Sequence, residues 1–228
     1  ADKYCDIILV GDSLGMVLYG MKTTRDVKIE TMILHAKAVK KFVKRSLVVF
    51  DMPYKTYANK LIAYNNAKRV IKLTKCDAIK LEGGIKIVNI IKYLVKKGIP
   101  VVGHVGLMPQ TSTNFKVKGK NFVQKKKILK DALAISNSGA FAMIIECVVE
   151  NLARKITKSV SIPTIGIGAS RYCDGQILVT EDMLGLSDFS PKFVKQYTNL
   201  NKIMEKSIKN YVKDVKMRRF PSFKNVYR

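Results

Sequence analysis

Hydrophobic positions along this chain gather into short continuous runs, separated by stretches where they recur at helical spacing. The runs are Cys5–Asp12, Ser46–Asp51, Ala78–Glu82, Pro100–His104, Phe141–Glu146 and Ile162–Gly168, with a weaker seventh at Gln176–Thr180. Each is close to continuously apolar rather than alternating, which is the pattern of parallel strands covered on both faces. In the first intervening stretch Ile29, Met32, Ile33, Ala36, Val39 and Val43 form a helical stripe, and Thr24 or Asp26 stands where a cap is expected. The same spacing predicts helices at Asn59–Leu73, Ile85–Lys97, Asn121–Ser138 and Val149–Lys158, and a long one at about Pro191–Tyr211. Gly98-Ile99-Pro100 and Ser161-Ile162-Pro163 read as helix-to-strand turns.

Strand–helix alternation of this kind builds right-handed βαβ units on a parallel sheet. Such a sheet is either open and doubly wound or closed into a barrel, and the polar residues decide between them. Asp12, Asp51, Glu82, His104 and Glu146 each fall at the carboxyl end of a different run. An open sheet collects ligands mainly at one switch point, whereas a barrel collects them from many strand ends at one mouth. The prediction is therefore a (β/α) barrel in a single domain spanning residues 1–228, with 191–228 as a C-terminal helix and tail. Only seven runs are countable, where a closed barrel of this class has eight. The expectation is that the first strand is missing on the N-terminal side of Ala1, either because the sequence is a fragment or because the gene has lost it.

Composition adds little and excludes more. No apolar run reaches the ~18–20 residues of a membrane span, and no basic-then-apolar leader precedes the first run. None of the four cysteines lies in a C-x-x-C pair, which removes zinc ribbons and thioredoxin-type redox sites. Cys5, Cys76 and Cys147 lie in or beside apolar runs and are expected to be reduced core thiols of a cytoplasmic protein. The net charge of +25 raises the question of nucleic acid. The lysines are spread over every helix-like segment, however, and no basic stretch interleaves aromatics as a base-stacking groove would. They read as solvated helix faces and compositional drift, with a lesser share for attraction of an anionic substrate.

The polar strand ends carry the chemistry. Asp12, Asp51 and Glu82 meeting at one mouth would repel each other, and a divalent cation relieves that. Carboxylate oxygens with room for water suit Mg²⁺. The alternative is that each caps a following helix. Lys80 and Glu82 share strand parity and project to one face; Lys80 is then either the partner of a substrate carboxylate or an internal ion pair with Glu82. His104, between Gly103 and Val105, is either a hydrogen-bond donor to a substrate oxygen or a satisfied buried histidine. Glu146 follows the apolar run Phe141–Ile145, so burial should raise its pKa toward that of a general base for a weak carbon acid. Gly11-Asp12-Ser13-Leu14-Gly15 matches the nucleophile elbow of serine esterases, but no histidine follows His104 to complete a triad.

Taken together the motifs resemble the ketopantoate hydroxymethyltransferase family. The stretches that carry the resemblance are Asp6–Met16, Asp51–Tyr54, Lys80–Gly84, Gly103–Gln110, Glu146–Val148, Ile162–Ala169 and Cys173–Gln176, in order across essentially the whole chain. The resemblance implies a (β/α)8 TIM-type barrel of the phosphoenolpyruvate mutase-like superfamily, usually assembled as a homodecamer. It implies transfer of a hydroxymethyl group from 5,10-methylenetetrahydrofolate to 3-methyl-2-oxobutanoate, giving 2-dehydropantoate for pantothenate synthesis. It assigns Asp12, Asp51 and Glu82 to the Mg²⁺ site, some of them acting through water, Ser13, Asp51 and Lys80 to the oxo acid, and Glu146 to proton abstraction. Against it stand the absent first strand, a short Gln110–Lys116 connection, and Ser170-Arg171 where small residues are usual. The rival readings are a related Mg²⁺-dependent 2-oxo acid lyase or mutase and a degenerate, inactive barrel. A lyase of that type normally carries a reactive loop cysteine in a Lys-Cys-Gly-His motif, and this chain has none.

Overall fold

A computed structural model of the chain describes residues 1–112, 115–187 and 191–227. Residues 113 and 114 of the short Gln110–Lys116 connection lie outside the described residues. Two compact units are formed, Ala1–Ile177 and Leu178–Arg228.

The first unit is a seven-stranded parallel sheet. Its strands are β1 (Ile7–Val10), β2 (Leu47–Asp51), β3 (Ala78–Lys80), β4 (Val101–Gly106), β5 (Ala142–Glu146), β6 (Thr164–Ile167) and β7 (Gly175–Gln176). They pair in strict sequence order. A doubly wound sheet reverses its order at a switch point and this one does not, so the arrangement is of the TIM type with seven strands rather than eight. The helices are α1 (Leu14–Val17), α2 (Ile29–Phe42), α3 (Lys60–Thr74), α4 (Val88–Lys96), α5 (Phe122–Ser136) and α6 (Glu150–Ser159). Asn59 and Asn121 cap α3 and α5 by accepting from backbone N–H groups at Ile62 and Gln124.

Strand parity divides the apolar residues into two sets. Val48, Phe50, Ile79, Leu81, Val101, Val105, Met143 and Ile145 face the helices and form the main core with Met32, Ala36, Ala63, Ala67, Ile91, Leu94, Ile135 and Ile156. Val49, Ala78, Val102, Ala142 and Ile144 face the other way and form a second, smaller cluster with Ile7, Leu9, Ile165 and Ile167. Side chains two residues apart share a face. The inner set therefore continues, at the carboxyl ends of β2 to β5, into Asp51, Lys80, Glu82, His104 and Glu146.

Several expected boundaries shift. Thr24 and Asp26 do not cap α2; they lie in a single 3-10 turn capped by Thr23, and α2 begins after Lys28 with no side-chain cap. The seventh strand is only Gly175–Gln176, because Thr180 already starts a helix. Cys5 is exposed, while Cys76, Cys147 and Cys173 are buried; all four are free thiols. The second unit contains α7 (Thr180–Met183) and α8 (Leu200–Lys216), so the long helix begins later than its apolar spacing suggests. No helix among the described residues is long and apolar enough to cross a membrane.

Candidate active site

The β-ladder register assembles the site. Asp51 and Lys80 are lateral partners between β2 and β3, and Gly106 and Glu146 between β4 and β5. Lys80 is buried and its ammonium donates to both carboxylate oxygens of Asp51, at 2.8 and 2.7 Å. It also stands 3.6 Å from Glu82 Oε1. Burial alone would depress the Lys80 pKa, but Asp51, Glu82 and Asp12 outweigh it and hold the ammonium charged. A buried cation with three carboxylates around it is a fixed source of positive charge.

Asp12 sits just past β1, its backbone N–H 3.3 Å from Asp51 Oδ2. Burial first, then the Asp51 charge, push its carboxyl up to about 8. Its Oδ2 accepts from Gln110 Nε2 at 2.8 Å, and Oδ1 has no hydrogen-bond partner among the described residues. Gln110 is fully buried and ties four segments together. Its side-chain amide also donates to the Met52 carbonyl at 2.9 Å, its oxygen accepts from the Tyr57 hydroxyl, and its backbone N–H donates to Glu82 Oε2 at 3.1 Å. Arg25 donates to the Gln110 carbonyl at 2.9 Å and fixes that loop from outside. Gln110 was expected only as part of a motif. The signal that marks it is its place a few residues past the His104 strand, visible once the loop is seen folding back over the mouth.

His104 is buried, and burial followed by the Lys80 charge holds its pKa well below the usual imidazole value, so the ring is neutral. Its Nε2 lies 2.7 Å from the Leu107 carbonyl, which only accepts, so Nε2 carries the hydrogen. Nδ1 is left as a buried acceptor without a hydrogen-bond partner among the described residues, 3.9 Å from Glu82 Oε1. The ring thus turns a lone pair toward Glu82 and gives its N–H to the Leu107 carbonyl.

Glu146 ends β5, with its carboxylate 3.5 Å from His104 Nε2. Burial is the main reason its pKa is pushed up to about 7; Lys80 pulls it down, and Asp51 and Asp12 push it up. Its side chain keeps 18% of its surface exposed. Glu82 is raised to about 7, again chiefly by burial. Gly106 makes the close approach of β4 and β5 possible: it has φ +99°, and a Cβ there would lie 2.2 Å from the Glu146 carbonyl oxygen. Ser13 begins α1, and its side chain bonds to no described residue.

Asp12, Asp51 and Glu82 come to the same end of the sheet, Asp12 beside Asp51 and Glu82 beside Lys80. Among the described residues no three His, Cys, Asp or Glu side chains stand where one metal would bind all of them. The Glu82 oxygens face the Gln110 N–H, Lys80 and His104, and both Asp51 oxygens accept from Lys80. Asp12 and Asp51 lie side by side, and Asp12 keeps an oxygen unused among the described residues and a carboxyl that burial, then the Asp51 charge, push up to about 8. Mg²⁺ is commonly held by one or two carboxylates while keeping several waters. By donor chemistry the pair would hold such an ion.

A sequential parallel α/β sheet with acids, one lysine and one histidine on its inner parity at a single end defines a barrel enzyme of the TIM class. Comparison with known proteins narrows this. Residues 1–223 match the family model described as ketopantoate hydroxymethyltransferase. The chain is 50% identical over 226 residues to the 3-methyl-2-oxobutanoate hydroxymethyltransferase of Pelagibacter ubique (strain HTCC1062), covering 99% of this chain and 88% of that protein. Among solved structures it resembles 2,3-dimethylmalate lyase, a member of the PEP mutase/isocitrate lyase superfamily (TM-score 0.53, 13% identity, 72% of this chain and 59% of that one). It also resembles a putative lyase/mutase from Burkholderia cenocepacia J2315 (TM-score 0.54, 11% identity, 97% and 78%). These two likenesses support the superfamily fold alone. The chain belongs to the ketopantoate hydroxymethyltransferase family, and it is a hydroxymethyltransferase.

Proposed function

We propose that this enzyme transfers a hydroxymethyl group from 5,10-methylenetetrahydrofolate to C3 of 3-methyl-2-oxobutanoate, supplying 2-dehydropantoate for pantothenate synthesis. The observation that carries the reading is Glu146, a carboxylate poised at about pH 7, standing with His104 and Lys80 on the inner face of one barrel end. A base with that pKa removes a weakly acidic C–H proton at neutral pH, where an exposed glutamate is too weak and a lysine is charged.

The roles follow from charge and reach. Lys80, kept cationic by its acidic neighbours, attracts the carboxylate of the oxo acid, and Ser13 at the start of α1 offers it a hydroxyl. Asp12 and Asp51 would hold a divalent cation, which when bound supplies positive charge to the substrate carbonyl oxygen as electron density builds there. Gln110 sets the orientation of Asp12, and Lys80 that of Asp51. Glu146 takes the C3 proton, and the carbon so activated bonds to the methylene unit of the donor. Water completes the product and tetrahydrofolate leaves, so that oxo acid, methylenetetrahydrofolate and water balance hydroxymethyl oxo acid and tetrahydrofolate. His104 Nδ1 contributes an acceptor for a water or hydroxyl hydrogen at the mouth.

The test is product formation from purified protein, 3-methyl-2-oxobutanoate and 5,10-methylenetetrahydrofolate, with Mg²⁺ or with a chelator. The reading expects 2-dehydropantoate only when all components are present. Formation of no product with Mg²⁺ and both substrates overturns it and leaves the degenerate barrel.

A further inference from the structure

Arg25 bonds to none of the acids of the site, yet it joins three of the loops that carry them. It stands in the turn Thr24–Asp26, beyond β1, where the Thr23 hydroxyl accepts from its backbone N–H at 3.2 Å. Thr24 and Val27 are buried on either side of it, so its main chain is anchored. Its Nε donates to the Gln110 carbonyl at 2.9 Å and its Nη2 to the Ser112 carbonyl at 3.3 Å, both in the loop after β4. Its guanidinium carbon lies 5.8 Å from the centre of the Tyr54 ring, in the loop after β2. Arg45, Arg69 and Arg219 each pair with an acid, whereas Arg25 has no carboxylate partner among the described residues. Its side chain is given over to holding loops.

A planar fork of donors suits that task. It holds two carbonyls of one loop at once and leaves its face to stack on a ring, where a lysine offers a single point charge. Gln110 is fully buried, so its carbonyl depends on a protein donor. The same residue puts its side-chain amide on Asp12 and on the Met52 carbonyl, and its backbone N–H on Glu82. A shift of the Gln110 main chain therefore takes a partner from two acids of the site together. We propose that Arg25 is a positioning residue of the reaction: it latches the β4 loop to the turn after β1, and so keeps Gln110 where it orients Asp12. Arg25 acts through Gln110 and touches no substrate. The inference rests on the proposed function in one respect, since it takes Asp12 to hold the divalent cation.

The experiment compares wild type with Arg25→Ala, Arg25→Lys, Gln110→Ala and the double variant Arg25→Ala/Gln110→Ala. Arg69→Ala, which breaks an exposed ion pair with Glu30 between α2 and α3, controls for the loss of an arginine as such. Amide hydrogen exchange reads the protection of residues 107–112, calorimetry reads Mg²⁺ affinity, and NMR in D₂O reads deuterium exchange at C3 of the oxo acid without folate. Arg25→Ala should lose about tenfold in protection of that segment, in Mg²⁺ affinity and in C3 exchange. Arg25→Lys should fall between it and wild type, and Arg69→Ala should match wild type throughout. Added guanidinium ion at low concentration should restore Arg25→Ala and leave Gln110→Ala as it is. The double variant should be no worse in Mg²⁺ affinity or exchange than Gln110→Ala alone, because the latch then has nothing to act through. Losses that multiply in the double variant overturn the proposal, as does wild-type protection of residues 107–112 in Arg25→Ala or an equal loss in Arg69→Ala. If Arg25→Ala does not fold, Arg25→Lys alone and combined with Gln110→Ala gives the same comparison. A wild type that neither binds Mg²⁺ nor exchanges C3 would discard the proposed reaction, and the protection of residues 107–112 would still decide the latch.

Discussion

At the scale of single residues, the chemistry depends on a few side chains held far from their ordinary behaviour. Glu146 illustrates this best. The apolar run before it predicts a raised pKa, and burial does raise it to about 7. A base works when ionised, so the rate of C3 proton removal should climb with pH through about 7 and level off above. Glu146→Gln cannot accept the proton and should lower that rate by at least ~10²-fold while leaving oxo acid binding intact. Gln110 makes a second case. Gln110→Ala would strip partners from Asp12, the Met52 carbonyl and the Tyr57 hydroxyl. Groups that orient metal-binding carboxylates typically contribute ~10–100-fold in affinity. Calorimetric titration with Mg²⁺ should therefore show weaker binding in Gln110→Ala, and unchanged affinity would remove Gln110 from its positioning role. Neither Gln110 nor the orientation of His104 was legible in the sequence, since both depend on a loop folding back so that Leu107 and Gln110 meet residues from other strands.

At the scale of elements, apolar runs fixed β1 to β6 to within a few residues because each is covered on both faces, which demands continuous hydrophobicity. The weak seventh run was misplaced because Gly175–Gln176 makes only two ladder pairs, too short to leave a pattern. The start of α2 was misjudged since capping residues also begin 3-10 turns, and Thr23–Asp26 is one. Parity and strand ends place Asp51 and Glu82 on one face but say nothing of loop amides. The Gln110 N–H, which donates to Glu82 Oε2 at 3.1 Å, is one such amide. Gly106 tests the register itself. Gly106→Ala adds a methyl against the Glu146 carbonyl in a left-handed conformation, a strain of roughly 1–3 kcal/mol. Its thermal midpoint should fall and proton abstraction should fall with it, because Glu146 moves when β4 and β5 part. A variant with wild-type midpoint and rate would show that this contact is not tight.

At the scale of the whole molecule, the acid site opposes folding and a cation should reverse that. Asp12 at about 8 and Glu82 and Glu146 at about 7 all lie above ordinary carboxylate values. For a group whose folded pKa is raised, stability is full below the unfolded pKa and lost as pH rises through the folded one. The metal-free protein should therefore lose thermal stability as pH rises from about 4 to about 8, and level off above that. Mg²⁺ binds ionised carboxylates, so the midpoint gain it gives should grow over the same interval. A gain independent of pH would mean the ion binds elsewhere. The net charge of +25, so prominent in the sequence, bears on this only locally: most lysines lie on exposed helix faces, and one, Lys80, is buried where it controls the acids.

The central claim is that Glu146, within this acid and lysine cluster, removes the C3 proton of a 2-oxo acid with help from a divalent cation. Proton NMR of 3-methyl-2-oxobutanoate in D₂O, with enzyme and Mg²⁺ but no folate, follows that step alone. The account predicts loss of the C3 proton signal with wild type and Mg²⁺, and persistence of that signal with chelator or with Glu146→Gln. Exchange by Glu146→Gln at the wild-type rate would contradict it.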